Sequence, residues 1–198
     1  MKASNQRIKA DSYQIYSRTI FGFWIYLMTD FMLFTTLFAT YAVLHHNVFE
    51  GPSGRDLFNL RDILLQTLVF LISSCLMGFG SVMAHRRDKK WTVFLFISVF
   101  LLGTIFFWMG IQGLSYLVIH GYNWQQSAFL SIYFTIIGTY NLHLLFALLW
   151  LIVFMIPVIK YGLTDVSIRR LTCLRIFWQF LGIIWIFIFT VVYLLGVI

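Results

Sequence analysis

Charged side chains are scarce in this sequence, and their distribution limits the class of protein it can be. Only 11% of the residues are Asp, Glu, Lys or Arg, whereas soluble domains carry about a quarter. From Trp91 to Ile159 none of the four occurs. With 61% hydrophobic residues and a mean hydropathy of +0.87, this composition excludes a soluble globular domain and indicates a polytopic membrane protein.

Residues that could carry a reaction are also few. The two cysteines, Cys75 and Cys173, fall in or beside apolar runs without a Cys-x-x-Cys pattern, so we expect buried free thiols. There is no Gly-rich phosphate loop, no Ser/His/Asp arrangement, and no second carboxylate for acid/base work with Asp30. His143 is the one histidine near the middle of an apolar run, and it cannot build a haem or copper site alone. We therefore predict no catalytic centre, cofactor or metal on this chain.

Five apolar runs are long enough to cross the roughly 30 Å hydrocarbon core of a bilayer as helices. They cover residues 20–44, 63–84, 91–119, 127–159 and 173–197. The polar segment 120–126 is the one turn-prone break inside the charge-free stretch. No linker or repeat divides the chain, so the sequence predicts an all-α membrane bundle of five transmembrane helices, forming a single domain over residues 1–198.

The basic residues predict the orientation in the membrane. All but two of the fourteen Lys and Arg residues fall in the N-terminal arm, in segment 85–90 or in segment 160–175, and the exceptions are Arg55 and Arg61. By the positive-inside rule, we expect the N-terminus in the cytoplasm and the C-terminus in the periplasm. The net charge of +7 then reflects topology and contact with anionic lipid headgroups, and we expect no nucleic-acid partner.

Asp30 is the single charged residue of the first apolar run. It lies about ten residues, or roughly 15 Å, inside that run. An ionised carboxylate facing lipid at this depth would cost at least about 2.5 kcal/mol. We therefore expect Asp30 to face protein, with His143 as the preferred partner and Gln179 or Tyr26 as alternatives.

Small residues predict where the helices approach one another, because transmembrane helices associate mainly by close packing. Ser74 and Gly78 form a small-xxx-small pair in the second helix. Gly103 and Gly110 lie on one face of the third helix, and Gly113 continues that face. We expect these positions to let neighbouring backbones touch.

Several segments resemble one known family. The first run contains FGFWIYLMTD (residues 21–30) and LFATYAVL (37–44), and it resembles the opening helix of subunit III of cytochrome bo-type ubiquinol oxidases, members of the haem-copper oxidase superfamily. The other similar segments are GPSGRD (51–56), GT (138–139), LH (142–143), GLT (162–164), CLRIFW (173–178) and FTVVYLLG (189–196). Together these segments spread over nearly the whole chain.

The resemblance implies a non-catalytic subunit of a terminal ubiquinol oxidase in the bacterial inner membrane. In this family the haems, copper and quinol site belong mainly to subunit I, so subunits I, II and IV are the expected partners. Subunit III flanks subunit I, holds phospholipid in a cleft and supports sustained turnover. The complex oxidises ubiquinol, reduces oxygen to water and pumps protons. The candidate lipid-cleft residues are Asp30, Trp24, Tyr26, His143 and Gln179.

The chain departs from the family pattern where relatives carry ionisable groups inside the membrane. Relatives usually have two glutamates in the third helix, a Gly-Thr-His-Gly-x-His pattern in the fourth and a Trp-His-Phe-x-Asp pattern in the last. The residues found here instead are Gly110 and Gly113, Tyr140 and Asn141, and Gln179 and Gly182. We therefore expect a divergent member that keeps scaffolding and lipid retention but does not collect protons.

Two alternatives stay open. A subunit III homologue could serve a cytochrome c oxidase or a nitric oxide reductase, and the partner chains and their haem spectrum would distinguish these. A small proton or solute transporter could instead use Asp30 and His143 as a relay. Against the transporter, one carboxylate and one histidine make a poor chain across about 30 Å, and the sequence has no inverted pair of broken helices.

Overall fold

The computed structural model describes residues 2–44, 60–122, 124–125 and 127–194. Side chains are described from residue 17 onward within these ranges, apart from those of residues 60 and 165. The family-like segment at 51–56 and the histidines at 45 and 46 lie outside the described residues.

The described chain is helical, without a strand. It forms α1 (Lys2–Leu44), α2 (Leu60–His85), α3 (Lys89–Ile119), α4 (Ala128–Tyr161) and α5 (Asp165–Ile188), which continues as a π-helix over Phe189–Leu194. All five contain a stretch long and apolar enough to cross a membrane. The predicted all-α architecture with five spanning helices is thereby confirmed.

Two helices begin more than two turns before the apolar runs predict. The last helix was expected from residue 173, but α5 begins at Asp165, after Thr164 as its N-cap. The Thr164 hydroxyl accepts a hydrogen bond from the Ser167 backbone N–H at 3.2 Å, which satisfies one free donor of the first turn. α1 likewise extends back to Lys2. Hydropathy marks the part of a helix suited to hydrocarbon, whereas the hydrogen-bonded ladder continues into polar turns.

Four helices form a bundle and α1 lies against one side of it. α2 packs against α3 and α5, α4 packs against the same two helices, and α1 contacts α4 and α5. Trp178 is fully buried at the centre, where its ring stacks on Phe70 of α2 at 5.8 Å and its Nε1 donates to Ser73 Oγ at 3.3 Å. Trp185 Nε1 donates to Thr67 Oγ1 at 3.0 Å. Hydrogen bonds from buried indoles therefore fix how α5 faces α2.

The glycines of α2 and α3 differ in how closely neighbouring side chains approach them. A Cβ at Gly103 would lie 2.7 Å from Trp178 Cη2, and one at Gly110 would lie 2.7 Å from Asn141 Oδ1. These two positions let α3 approach its neighbours closely. A Cβ at Gly78 or Gly113 would meet nothing within 4 Å, so these two glycines make no close helix contact within the described chain.

Ser74 is half-buried beside the open position at Gly78. The expectation of two buried thiols holds for Cys173, but it is wrong for Cys75, which is exposed on α2. Apolar sequence around a cysteine does not distinguish a core-facing position from a lipid-facing one, because both surroundings are hydrophobic.

A hydrogen bond links two of the helix connections at one end of the bundle. Lys89 at the start of α3 donates to the Ile159 carbonyl near the end of α4 at 2.8 Å. A lysine thus satisfies one of the free carbonyls that every helix C-terminus leaves. This contact places segments 85–90 and 160–165, both rich in polar residues, at the same end.

Candidate functional site

The Asp30 carboxylate of α1 is buried against α4, and His143 lies opposite it. Asp30 is 8% exposed, and its Oδ2 atom lies 3.7 Å from His143 Nε2. The Phe34 ring packs against the imidazole with the ring centres 5.3 Å apart. The predicted pairing of Asp30 with His143 is confirmed, at ion-pair distance but beyond hydrogen-bond distance.

The second imidazole nitrogen of His143 is held within its own helix. His143 Nδ1 lies 2.8 Å from the Thr139 carbonyl oxygen, and since a carbonyl can only accept, Nδ1 carries a hydrogen. Nε2 is then the ring nitrogen that faces Asp30. Asp30 Oδ2 is buried and has no hydrogen-bond partner among the described residues.

The two alternative partners of Asp30 lie in different places. Tyr26 is one helical turn before Asp30, on the same face of α1. Gln179 is exposed on α5 and is not among the described partners of Asp30. Within the described chain, His143 is thus the residue placed opposite the Asp30 carboxylate.

Two open grooves run along the side of the bundle where α1 meets α4 and α5. The first, which we call the aromatic groove, has a volume of about 480 Å³. It is lined by Tyr26, Phe146, Leu149, Trp150, Val153 and Phe177. The second, the arginine groove, has a volume of about 470 Å³, and Tyr26 and Trp150 also line it. Its remaining lining residues are Thr19, Gly22, Phe23, Val166, Arg169, Arg170 and Cys173.

Aromatic side chains hold the walls of both grooves in place. The Phe23 and Trp150 rings meet edge to face at 5.8 Å, and Phe177 lies 6.2 Å from Trp150 and 6.5 Å from Tyr26. Because the grooves share Tyr26 and Trp150, they form one track. The guanidinium groups of Arg169 and Arg170 lie at the end of the track near the start of α5. Apolar side chains line the rest of the track. An anionic head group with hydrocarbon tails is the kind of molecule that such a track can hold.

Sequence reasoning identified only part of this track. Tyr26 lines both grooves, whereas Trp24 and Gln179 line neither. Trp150 and Phe177 were missed, because an aromatic residue in an apolar run carries no signal of whether it faces a groove, lipid or the core. Arg169 and Arg170 carried a weaker signal, since both are cations in the basic segment 160–175 just before the last apolar run.

The buried amide of Gln66 is among the polar residues that sequence reasoning missed. Gln66 of α2 is 7% exposed, and its Nε2 donates to the Phe106 carbonyl of α3 at 3.4 Å. It lies close to the start of the second apolar run, where a polar residue is expected at a membrane surface.

Within the described ranges, no three side chains of the His, Cys, Asp and Glu types gather closely enough to hold a metal ion.

Comparison with known proteins places the chain in a family. The model of the family "cytochrome c oxidase subunit III" matches residues 10–197. The chain is 46% identical over 178 residues to cytochrome bo(3) ubiquinol oxidase subunit 3 of Pseudomonas aeruginosa, which covers 90% of this chain and 85% of the relative. It is 36% identical over 195 residues to the protein of that name in Buchnera aphidicola (subspecies Baizongia pistaciae), covering 98% and 99% of the two chains.

A cytochrome c oxidase subunit is also among the relatives. Cytochrome c oxidase subunit 3 of Bacillus sp. strain PS3 is 35% identical over 178 residues, which cover 89% of this chain and 86% of the relative. These matches extend over nearly all of the five spanning helices, so the resemblance noted in the sequence is confirmed. The chain belongs to the cytochrome c oxidase subunit III family.

Proposed function

We propose that this chain is the non-catalytic subunit III of a respiratory ubiquinol oxidase in the bacterial inner membrane. The observation that carries the proposal is its 46% identity, over 90% of the chain, to a ubiquinol oxidase subunit 3. The haems, copper and quinol site belong on partner subunit I, with subunits II and IV completing the complex. The complex oxidises ubiquinol, reduces oxygen to water and pumps protons, while this chain stabilises subunit I.

The orientation belongs to the same proposal. Segments 85–90 and 160–165 meet at one end of the bundle through the Lys89 contact with Ile159. Both flank spanning helices, and together they carry five basic residues, Arg86, Arg87, Lys89, Lys90 and Lys160, which favours the cytoplasmic side for this end. The N-terminus is then cytoplasmic and the C-terminus periplasmic, because the chain crosses five times.

Retention of phospholipid is the second part of the proposal. The track formed by the two grooves supports it, because Arg169 and Arg170 stand at one end and aromatic rings line the rest. A phosphate accepts charge-assisted hydrogen bonds from guanidinium groups, and acyl chains fit the apolar walls. The lipid then fills a surface between α1 and the other helices that would otherwise stay incompletely packed.

Native mass spectrometry of the purified complex tests lipid retention. The double substitution Arg169→Gln and Arg170→Gln removes both cations and keeps polar side chains of similar length. We expect the number of phospholipids that stay bound to fall, because the phosphate loses its charged donors. Lys160→Gln, at the same end but outside both grooves, is the control. Equal lipid retention in the double variant and the control would contradict this part of the proposal.

Purification in mild detergent tests the oxidase assignment. A tag on this chain is expected to bring down the haem- and copper-bearing subunit together with ubiquinol oxidase activity. Recovery of the chain without other oxidase subunits would contradict the assignment. The 35% identity to a cytochrome c oxidase subunit 3 supports a second candidate, in which the same complex oxidises cytochrome c. Assaying both donors on one preparation separates the two.

A further inference from the structure

The outer face of α5 carries an exposed amide, Gln179, at a depth where lipid offers no hydrogen bonds. We call the exposed residues of this face the α5 outer stripe, and they are Gln179, Ile183, Ile186 and Thr190. The Thr190 hydroxyl donates to the Ile186 carbonyl at 2.9 Å, so it is satisfied within its own helix. Gln179 lies midway along the span Val166–Leu194, on the order of 20 Å from either end. Hydrocarbon cannot pair with its amide.

A cation borders the stripe one helical turn away. Arg175 precedes Gln179 by four residues, so the two side chains share a face of α5. The Arg175 guanidinium is partly buried, and its Nη1 donates to Ser81 Oγ of α2 at 3.4 Å. Its Nε is buried without a hydrogen-bond partner among the described residues. The one described contact of this charge is thus a neutral hydroxyl.

The surface of α2 beside Arg175 has no closely packed neighbour at Gly78 within the described chain. A Cβ at Gly78 would meet nothing within 4 Å, and Gly78 lies one turn from the Ser81 that contacts Arg175. Transmembrane helices approach one another closely beside small residues. The edge of α2 therefore leaves room for another helix next to the α5 outer stripe.

We propose that the α5 outer stripe, with Arg175 at its edge, docks a transmembrane helix of another subunit of the oxidase. That helix presents a hydrogen-bonding side chain opposite Gln179 and an acidic side chain near Arg175, which complements the unmatched charge. A phospholipid could neutralise Arg175 through its phosphate, but its acyl chains would leave the Gln179 amide without a partner. The inference rests on the proposed function, because the docked chain is an oxidase subunit.

Photo-cross-linking in native membranes tests the surface. A photoreactive amino acid replaces Ile183, which is 53% exposed in the stripe, and in the control it replaces Leu101, which is 57% exposed on α3. We expect Ile183 to give a covalent adduct with another oxidase subunit. Adducts with lipid only, adducts with a second copy of this chain only, or a subunit adduct from Leu101 alone would each overturn the proposal.

A second measurement tests the hydrogen bond that we assign to the Gln179 side chain. Gln179→Leu removes the hydrogen bond but suits lipid better than glutamine does. Since interhelical hydrogen bonds in membranes contribute modestly, we expect the fraction of this chain retained with the complex in detergent to fall about threefold. Unchanged or increased retention would overturn the proposal.

Failure of this surface is distinguishable from failure of the proposed function. If the unmodified chain brings down no oxidase subunit, the proposed function is wrong. If it brings down the complex but Ile183 gives no subunit adduct, only the docking surface is wrong.

Discussion

The contact between Asp30 and His143 makes a residue-level test of the scaffold account possible. In Asp30→Asn the amide Nδ2 can donate to His143 Nε2, because Nδ1 already donates to the Thr139 carbonyl. We therefore expect ubiquinol oxidase activity per haem to stay within about twofold of the unmodified complex, with weakened assembly or lipid retention as the visible change. A relay that moves protons through Asp30 would lose transport outright in the same variant.

Replacing Asp30 with an apolar side chain is expected to destabilise the complex more than Asp30→Asn does. Asp30→Leu leaves the partly buried His143 Nε2 facing an apolar side chain in place of a carboxylate, and loss of a polar partner at such a site destabilises by about 1–3 kcal/mol. Thermal denaturation of the purified complex, followed by the amount of this chain that stays bound, measures the difference. The account is contradicted if Asp30→Leu and Asp30→Asn are equally stable.

Gly103 and Gly78 form a matched pair for testing helix contact. Gly103→Ala places a Cβ 2.7 Å from the buried Trp178 ring and 2.9 Å from Leu148, so the core must shift. Overpacking of this kind destabilises by about 1–3 kcal/mol. Gly78→Ala meets no atom within 4 Å, so within the isolated chain we expect no loss. Equal melting temperatures for the two variants of the isolated chain would argue against the packing described.

Some residue contacts were predictable because burial of charge is expensive. A carboxylate in the middle of an apolar run requires a partner, and few side chains were available, which led to His143. Gln179 misled the same reasoning, because an amide is polar enough to suggest a partner but does not specify its face. Its exposure on α5 could not be inferred without knowing how the helices pack.

At the scale of helices, the start of α5 depends on a side-chain cap. Thr164→Ala removes the oxygen that accepts from Ser167 N–H and also contacts the Ser167 hydroxyl at 2.9 Å. Loss of an N-cap destabilises the first turn by about 0.5–2 kcal/mol. Amide hydrogen exchange in residues 165–170 is expected to accelerate, whereas Thr164→Ser keeps the oxygen and should leave exchange unchanged. Similar exchange in both variants would show that the cap does not hold this turn.

The helices themselves were largely predictable from apolar runs, but the track between them was not. A run of apolar residues determines that a helix spans the membrane, whereas the sequence does not tell which neighbour it contacts. Trp150 and Phe177 line the aromatic groove because of the way α4 and α5 cross α1. The early start of α5 was hidden as well, because polar turns with Arg169 and Arg170 lower the hydropathy of a segment that is nevertheless helical.

At the scale of the whole molecule, the alternation of basic connections predicts the side on which each end lies. Single cysteines introduced at Lys90 and Gln125, in a background without Cys75 and Cys173, are expected to react differently with a membrane-impermeant thiol reagent added to intact spheroplasts. Labelling at residue 125 and protection at residue 90 follow from a cytoplasmic N-terminus. The reverse pattern would contradict the proposed orientation.

The central claim is that this chain supports a larger oxidase and performs no redox step itself. The most direct measurement is the initial rate of ubiquinol oxidation per haem in the purified complex with and without this chain. We predict initial rates within about twofold of each other, full haem and copper content in both, and a faster decline of activity during turnover when the chain is missing. Loss of the initial rate, or loss of haem or copper with this chain, would contradict the account.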